Sequence, residues 1–268
     1  MVVLGKKKHT YSFRGISGAC LKNIAYLSMF IDHFFAVVFF AYLEWRIMQG
    51  FSTDIAGRIY HIGRNVGRIA FILFAFMAAE GFYHTHSRGK YLLRLGIFAL
   101  LSEIPFDLAI HGAVFETNGQ NVYFTLFLGV AALCLWEMSD GYVLLQAAGV
   151  VACCTVAAVL KTDYMFMGVL LIVAFYLCRR SFLCQCVVSS AVVYIGIVMV
   201  YMVRHWGEGI SLLVFLEAGK SELYGLFAFV FLFFYRGRKG KQLPKACYYM
   251  FYPLHLLLLY GMKVYLFG

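Results

Sequence analysis

The chain has 268 residues, of which 63% are hydrophobic and only 13% charged, with a mean hydropathy of +0.80. Soluble domains are nearer half apolar and a quarter charged; no soluble fold of this size hides that much apolar surface, so a water-soluble enzyme is excluded. The net charge of +10 is split among short loops, which argues against nucleic-acid binding and for cytoplasmic loops beside anionic lipid.

The first 21 residues read as a cytoplasmic basic arm carrying Lys6, Lys7, Lys8 and Arg14. A membrane-spanning helix needs about 20 mostly apolar residues. By that measure, spans are predicted at 22–42, 67–84, 92–110, 122–137, 142–160, 164–178, 183–203, 221–235 and 246–266. The fold class expected is all-α: a polytopic membrane helical bundle of about nine transmembrane helices, forming one domain over residues 22–266. The first apolar run is long enough to be a retained span rather than a cleaved leader. The stretch 208–220 is apolar enough to tempt a tenth span, and is read as interfacial or re-entrant. The eight cysteines fall mostly within apolar runs, where the thiol behaves as a small hydrophobe. Cys184 and Cys186 lack a second pair at zinc-like spacing, so no metal is expected.

Orientation follows from Lys and Arg. With the N-terminus inside, the cytoplasmic side receives 15 of the 23 basic residues, among them Lys22, Arg88, Lys90, Arg94, Arg179, Arg180 and the run 236–245. The positive-inside rule therefore predicts N-in and C-out for a multi-pass protein of the cell membrane.

Ionisable side chains at membrane depth are costly and usually face a bundle interior or a cavity. Near the midplane stand Asp32, His33, Glu103 and His255; towards the outside lie Arg64, Arg68, Asp107, Asn121, Thr125, Asp163 and Glu222; towards the cytoplasm lie Glu80, His84, Arg88 and Arg94. Helical spacing sets these in pairs: Arg64 with Arg68, flanked by Gly63 and Gly67 for close backbone approach; Glu103 with Asp107, around Pro105; Asn121 with Thr125. Tyr248, Tyr252 and His255 share one face. Asp32 and His33 are chain neighbours and so point about 100° apart on a helix. Asp32 is expected to pair with a cation on another helix, such as Arg68 or Arg94, and His33 to face a cavity. The abundant Tyr and Phe read as core filling and interfacial belt. No Walker A run, dinucleotide fingerprint, zinc-protease motif or nucleophile elbow is present.

Five blocks resemble the TraX family of membrane proteins: LKNIAYLSMFIDH at 21–33, GRIAFILFAFMAAEGF at 67–82, RLGIFALLSEIPFDL at 94–108, NVYFTLFLG at 121–129 and FYPLHLLLLY at 251–260. They occur in the family's order across nearly the whole chain. The family is similar in organisation to a wider group of transmembrane acyltransferases, and its namesake acetylates the N-terminus of a conjugative pilin. The resemblance implies an acetyl-CoA-dependent membrane acetyltransferase. Its acceptor would be a pilin-like N-terminal amine or a hydroxyl of a surface glycan or lipid.

On this reading His33 is the general base, with Asp32 and His255 completing the catalytic group. Arg88, Lys90 and Arg94 receive the CoA phosphates and Glu80 lies beside the pantetheine arm. Arg68, Glu103, Asp107 and Asn121 bind the acceptor. A wet tunnel is expected to join donor and acceptor sides. The rival reading is a proton-coupled transporter or channel that uses the same buried carboxylates and histidines as a relay.

Overall fold

The computed structural model describes residues 15–204 and 220–268; most of the basic arm and the stretch 208–219 lie outside them. Among the described residues the chain is helical, with two isolated β-bridges joining Ile16 to Tyr235 and Gln120 to Thr162.

Helix α1 (Gly18–Phe34) begins where the Ser17 hydroxyl accepts the Cys20 N–H at 3.3 Å. Its free first-turn amides are used from outside: Gly18 and Ala19 donate to the carbonyls of Arg238 and Lys239 at 2.8 and 2.9 Å. Those donors would otherwise be orphaned. A π-helical turn (Phe35–Phe39) and α2 (Phe40–Met48) continue the same rod. Helix α3 (Asp54–His84) is 31 residues long, about 45 Å at 1.5 Å per residue, well beyond the hydrocarbon core.

The residues between the two predicted spans, 43–66, are thus mostly helical. Glu44, Arg46, Asp54 and Arg58 depress hydropathy without opposing helix formation. The chain turns at Gly50, whose φ of +74° suits glycine.

There follow α4 (Arg88–Ile110), α5 (Val122–Met138), α6 (Val143–Val159), α7 (Met165–Leu177) and α8 (Phe182–Arg204). The predicted span 221–235 is broken into a helical turn, a 3-10 turn (Tyr224–Phe227) and α9 (Ala228–Phe233). Gly225 explains the break: a Cβ there would stand 3.0 Å from the Arg68 carbonyl, so the backbone itself packs on α3. Helix α10 (Lys245–Phe267) closes the chain.

Helix α3 is the central post, packed against α1, α5, α7 and the 3-10 turn, while α10 lies on α4 and the π-turn. Four helical stretches are long and apolar enough to cross a membrane (Gly18–Met48, Asp54–His84, Phe182–Met202 and Lys245–Phe267), and α5, α6 and α7 are shorter apolar helices. Leu144, Leu183 and Leu258 point outward, a surface that lipid rather than water covers. The molecule is a helical membrane bundle. Successive helices alternate in direction: Arg88 at the start of α4 meets Glu137 at the end of α5, and the Arg179 guanidinium just beyond α7 lies over Tyr83 near the end of α3.

Candidate functional site

The site is built where α1 meets α3 on one side and α10 on the other. Gly67 lets α1 press onto α3 so closely that a Cβ would collide with the Asp32 side chain; at Gly63 it would collide with the Phe35 ring. This seam sets Asp32 Oδ2 against the Arg64 Nη1 at 2.8 Å, and the same nitrogen donates to the Asp32 carbonyl at 3.2 Å. The expected partners are corrected here. Arg68, one turn on, is held by Glu222 and by the Tyr164 hydroxyl, each at 3.4 Å, and Arg94 sits at the opposite end of the bundle.

His33 turns away from Asp32 and meets α10. Its Nδ1 lies 2.8 Å from Nε2 of His255, whose Nδ1 lies 2.9 Å from the Phe251 carbonyl. A carbonyl only accepts, so His255 carries its proton on Nδ1 and its Nε2 is the acceptor. His33 must then donate from Nδ1, which leaves its Nε2 with a free lone pair. The tautomers are fixed by the hydrogen-bond chain. His33 is buried against His255 and Tyr252, with ring centroids 4.9 and 5.8 Å away, and lines neither cavity described below, a second correction. The π-turn begins two residues after His33, a device frequent beside functional sites.

Pro253 shapes the α10 face. Lacking an N–H, it leaves the Tyr249 carbonyl free, and the Tyr123 hydroxyl donates to it at 3.2 Å. The adjacent Tyr248 carbonyl takes the Tyr26 hydroxyl at 2.8 Å. Tyrosines from α1, α5 and α10 are thereby locked around a common space.

That space is a cavity of about 280 Å³. Its mouth carries Lys22, Arg94 and Lys245, its walls include Tyr26, Tyr91 and Tyr249, and Tyr252 lies on its lining beside the histidine pair. Lys22 donates to Gln242 at 2.9 Å and lies 4.7 Å above the Tyr248 ring. None of the three cations has an acidic partner among the described residues.

A second cavity, of about 250 Å³, opens at the other end between Arg68, Asp163, Tyr164 and Glu222, with an apolar wall from Met167, Ile197 and Val200. Its floor is a tight turn in which Lys161, Tyr164 and Met165 take positive φ values of 51°, 62° and 43°. The turn is held by Thr125, whose hydroxyl bonds the Thr162 hydroxyl and the Asp163 carbonyl. The Tyr164 ring stacks on Phe71 at 3.7 Å. Burial pushes the Asp163 carboxyl up to about 6, against the opposing pull of Arg68. The two cavities share no lining residue, so the site is two chambers flanking the Asp32–His33–His255 layer and not an open tunnel.

The TraX protein family matches residues 17–263 of this sequence. The chain belongs to the TraX family. A relative of this TraX chain, the probable fimbrial assembly protein FimC, serogroup H1, of Dichelobacter nodosus, is 28% identical over 256 residues, covering 92% of this chain and 95% of that protein. No solved structure matches.

The remaining predicted site residues divide. Of the expected phosphate group, Arg94 lines the first cavity, whereas Arg88 is ion-paired with Glu137 and Lys90 is exposed, both outside it. Glu80 pairs with His84 at 3.4 Å and does not line the cavity. Of the expected acceptor group, Arg68 lines the second cavity. Glu103 instead holds the side-chain amide of Asn121, which caps α5 by accepting the Tyr123 N–H at 3.0 Å; Asp107 accepts the Glu116 N–H at 2.9 Å. Glu103, Asp107 and Asn121 line neither cavity; they brace the α4–α5 corner. Tyr26, Tyr91 and Tyr249, read as core filling, and Lys22 and Lys245, read as topology signals, are cavity residues that sequence reasoning passed over. The shared face of Tyr248, Tyr252 and His255 was the available signal for them.

Proposed function

We propose that this TraX-family protein is a membrane-embedded acetyltransferase that moves an acetyl group from acetyl-CoA to an acceptor amine, with the N-terminus of a pilin-like protein as the acceptor class. The observation that carries the reading is the histidine pair: a buried imidazole with a free Nε2 lone pair between a basic, tyrosine-lined chamber and a separate polar one. The first chamber, at about 280 Å³, is below the usual 300–1,000 Å³ of small-molecule pockets. It has room for an acylated pantetheine arm but not for the nucleotide, which would stay at the mouth on Lys22, Arg94 and Lys245. The acceptor would approach past Asp163 and Glu222 as an ammonium ion, leave one proton to solvent there, and attack as the neutral amine.

His33 Nε2 takes the proton as the amine attacks the thioester carbon. The His33 imidazolium is steadied by its Nδ1 bond to His255, and the Asp32–Arg64 pair fixes the turn that carries it. The same imidazolium returns the proton to the departing thiolate, so acyl-amine and free CoA thiol are the products. The family's link to fimbrial assembly, through the name of the Dichelobacter nodosus relative, supports a pilin-type acceptor over a glycan or lipid hydroxyl. N-in orientation would put acetyl-CoA on the cytosolic side, where it is made.

The test is acetyl transfer by purified full-length protein in nanodiscs, alongside heat of binding for acetyl-CoA. His33→Ala is expected to keep binding and lose about 10²–10⁴-fold in transfer, with His255→Ala losing less. Full transfer by a correctly inserted His33→Ala protein, or no heat with acetyl-CoA for the wild type, overturns the reading.

A further inference from the structure

Tyr252 is 2% exposed, and its O–H finds no acceptor among the described residues. An unpaired buried hydroxyl costs about 1–3 kcal/mol, and the other tyrosines around this cavity avoid that cost. Tyr26 donates to the Tyr248 carbonyl, Tyr123 to the Tyr249 carbonyl, and Tyr248 accepts the Leu243 N–H. Tyr252 is the member on the cavity lining that packs edge-on against both His33 and His255, at 5.8 and 5.5 Å between centroids. The Val122 amide, in the first turn of α5, lies beside its phenol oxygen. Val122 also lines the cavity. The amide belongs to the positive end of α5, a helix whose other early donors are used by Asn121: its side chain takes the Tyr123 N–H and its carbonyl the Phe124 N–H.

We infer that Tyr252 is a catalytic residue whose O–H, polarised by the Val122 N–H directed at its oxygen, donates to the thioester carbonyl oxygen and holds the oxyanion formed on attack. The inference rests on the acetyltransferase reading and adds an electrophilic half to it. As the amine nitrogen bonds to the carbonyl carbon, the C=O π pair moves onto oxygen, where the Tyr252 proton is shared by hydrogen bonding and not transferred. His33 Nε2 removes the amine proton. The oxygen pair then returns, the C–S bond breaks, and the thiolate leaves with the proton held on His33. A carbonyl beside Tyr252 gives its O–H an acceptor, and the bond strengthens as negative charge develops on that oxygen.

Tyr252→Phe removes the phenol oxygen and keeps the ring that packs on the histidines. The readout is the infrared carbonyl stretch of carbonyl-¹³C acetyl-CoA bound to full-length protein in nanodiscs, together with transfer to a short synthetic peptide with a free N-terminus. The wild type should lower the stretch relative to acetyl-CoA in water. Tyr252→Phe should restore it towards the free value, with heat of acetyl-CoA binding retained, and cut kcat about 10²–10³-fold without raising KM. Incorporating 3-fluorotyrosine at 252, a more acidic donor, should lower the stretch further. An unchanged stretch in Tyr252→Phe overturns the oxyanion role while leaving His33 chemistry standing. Wild-type protein that binds no acetyl-CoA overturns the acetyltransferase reading and this inference with it.

Discussion

At the scale of single residues the site separates charge from chemistry. Asp32 and His33 are adjacent in sequence, yet one is paired with α3 and the other with α10. A carboxylate only accepts, and would orient a histidine by taking one of its N–H groups; here the Asp32 carboxylate is paired with Arg64 instead, and the His33 imidazole is oriented by His255. Asp163 offers a cleaner test of local electrostatics because it lies in a turn between helices. Its carboxyl is lifted from the ordinary 3.8 to about 6 by burial. Between those values the folded state binds more protons than the unfolded one, so stability falls as pH rises through the window and is flat above it. Thermal unfolding in detergent should therefore show a midpoint that declines from about pH 4 to about pH 6. Asp163→Asn should flatten that segment and be the more stable form at neutral pH. Parallel curves for the two proteins would show that Asp163 is solvated.

Among elements, the α1–α3 seam decides whether the site exists. Gly63 and Gly67 were legible in the sequence as small residues one turn apart beside arginines, and so was the Tyr248, Tyr252 and His255 face of α10. What was not legible was which turn of α3 would face Asp32: Arg64 and Arg68 share a stripe, and only the packed register distinguishes them. The cavity-lining tyrosines were hidden for a related reason. Tyr is equally at home in a membrane interface and around a pocket, and Lys22 and Lys245 carry the same signal whether they mark topology or bind phosphate. The seam makes a paired prediction. Gly67→Ala drives a methyl into Asp32 and should destabilise by about 1–3 kcal/mol, with loss of acetyl transfer. Gly57→Ala, on the same helix with nothing within 4 Å, should be neutral or gain up to about 1 kcal/mol of helix propensity. Thermal unfolding of the two variants side by side measures the difference. Equal midpoints would mean the helices can part at no cost.

At the scale of the whole molecule, the proposed acetyl transfer requires the two chambers to open on opposite sides of the membrane, and the number of crossings decides whether they do. Cys20 stands at the start of α1 and Cys247 at the start of α10; both are exposed, whereas the other six cysteines are buried or partly buried. Lys22 and Lys245, two residues from each, line the same cavity, which predicts an even number of crossings between them. The four stretches long and apolar enough to cross do not fix this parity, because the predicted span 221–235 is broken into a helical turn, a 3-10 turn and the six-residue α9. A membrane-impermeant maleimide reads the parity directly. Cys20 and Cys247 should label together in inside-out vesicles and be protected together in intact cells, and a cysteine placed at Gly57, near the opposite end of α3, should behave the other way round. Labelling of Cys20 and Cys247 from opposite sides would break the alternation. Joint labelling from outside would keep the fold but reverse the orientation, and cytosolic acetyl-CoA would then face the acidic chamber rather than the basic one.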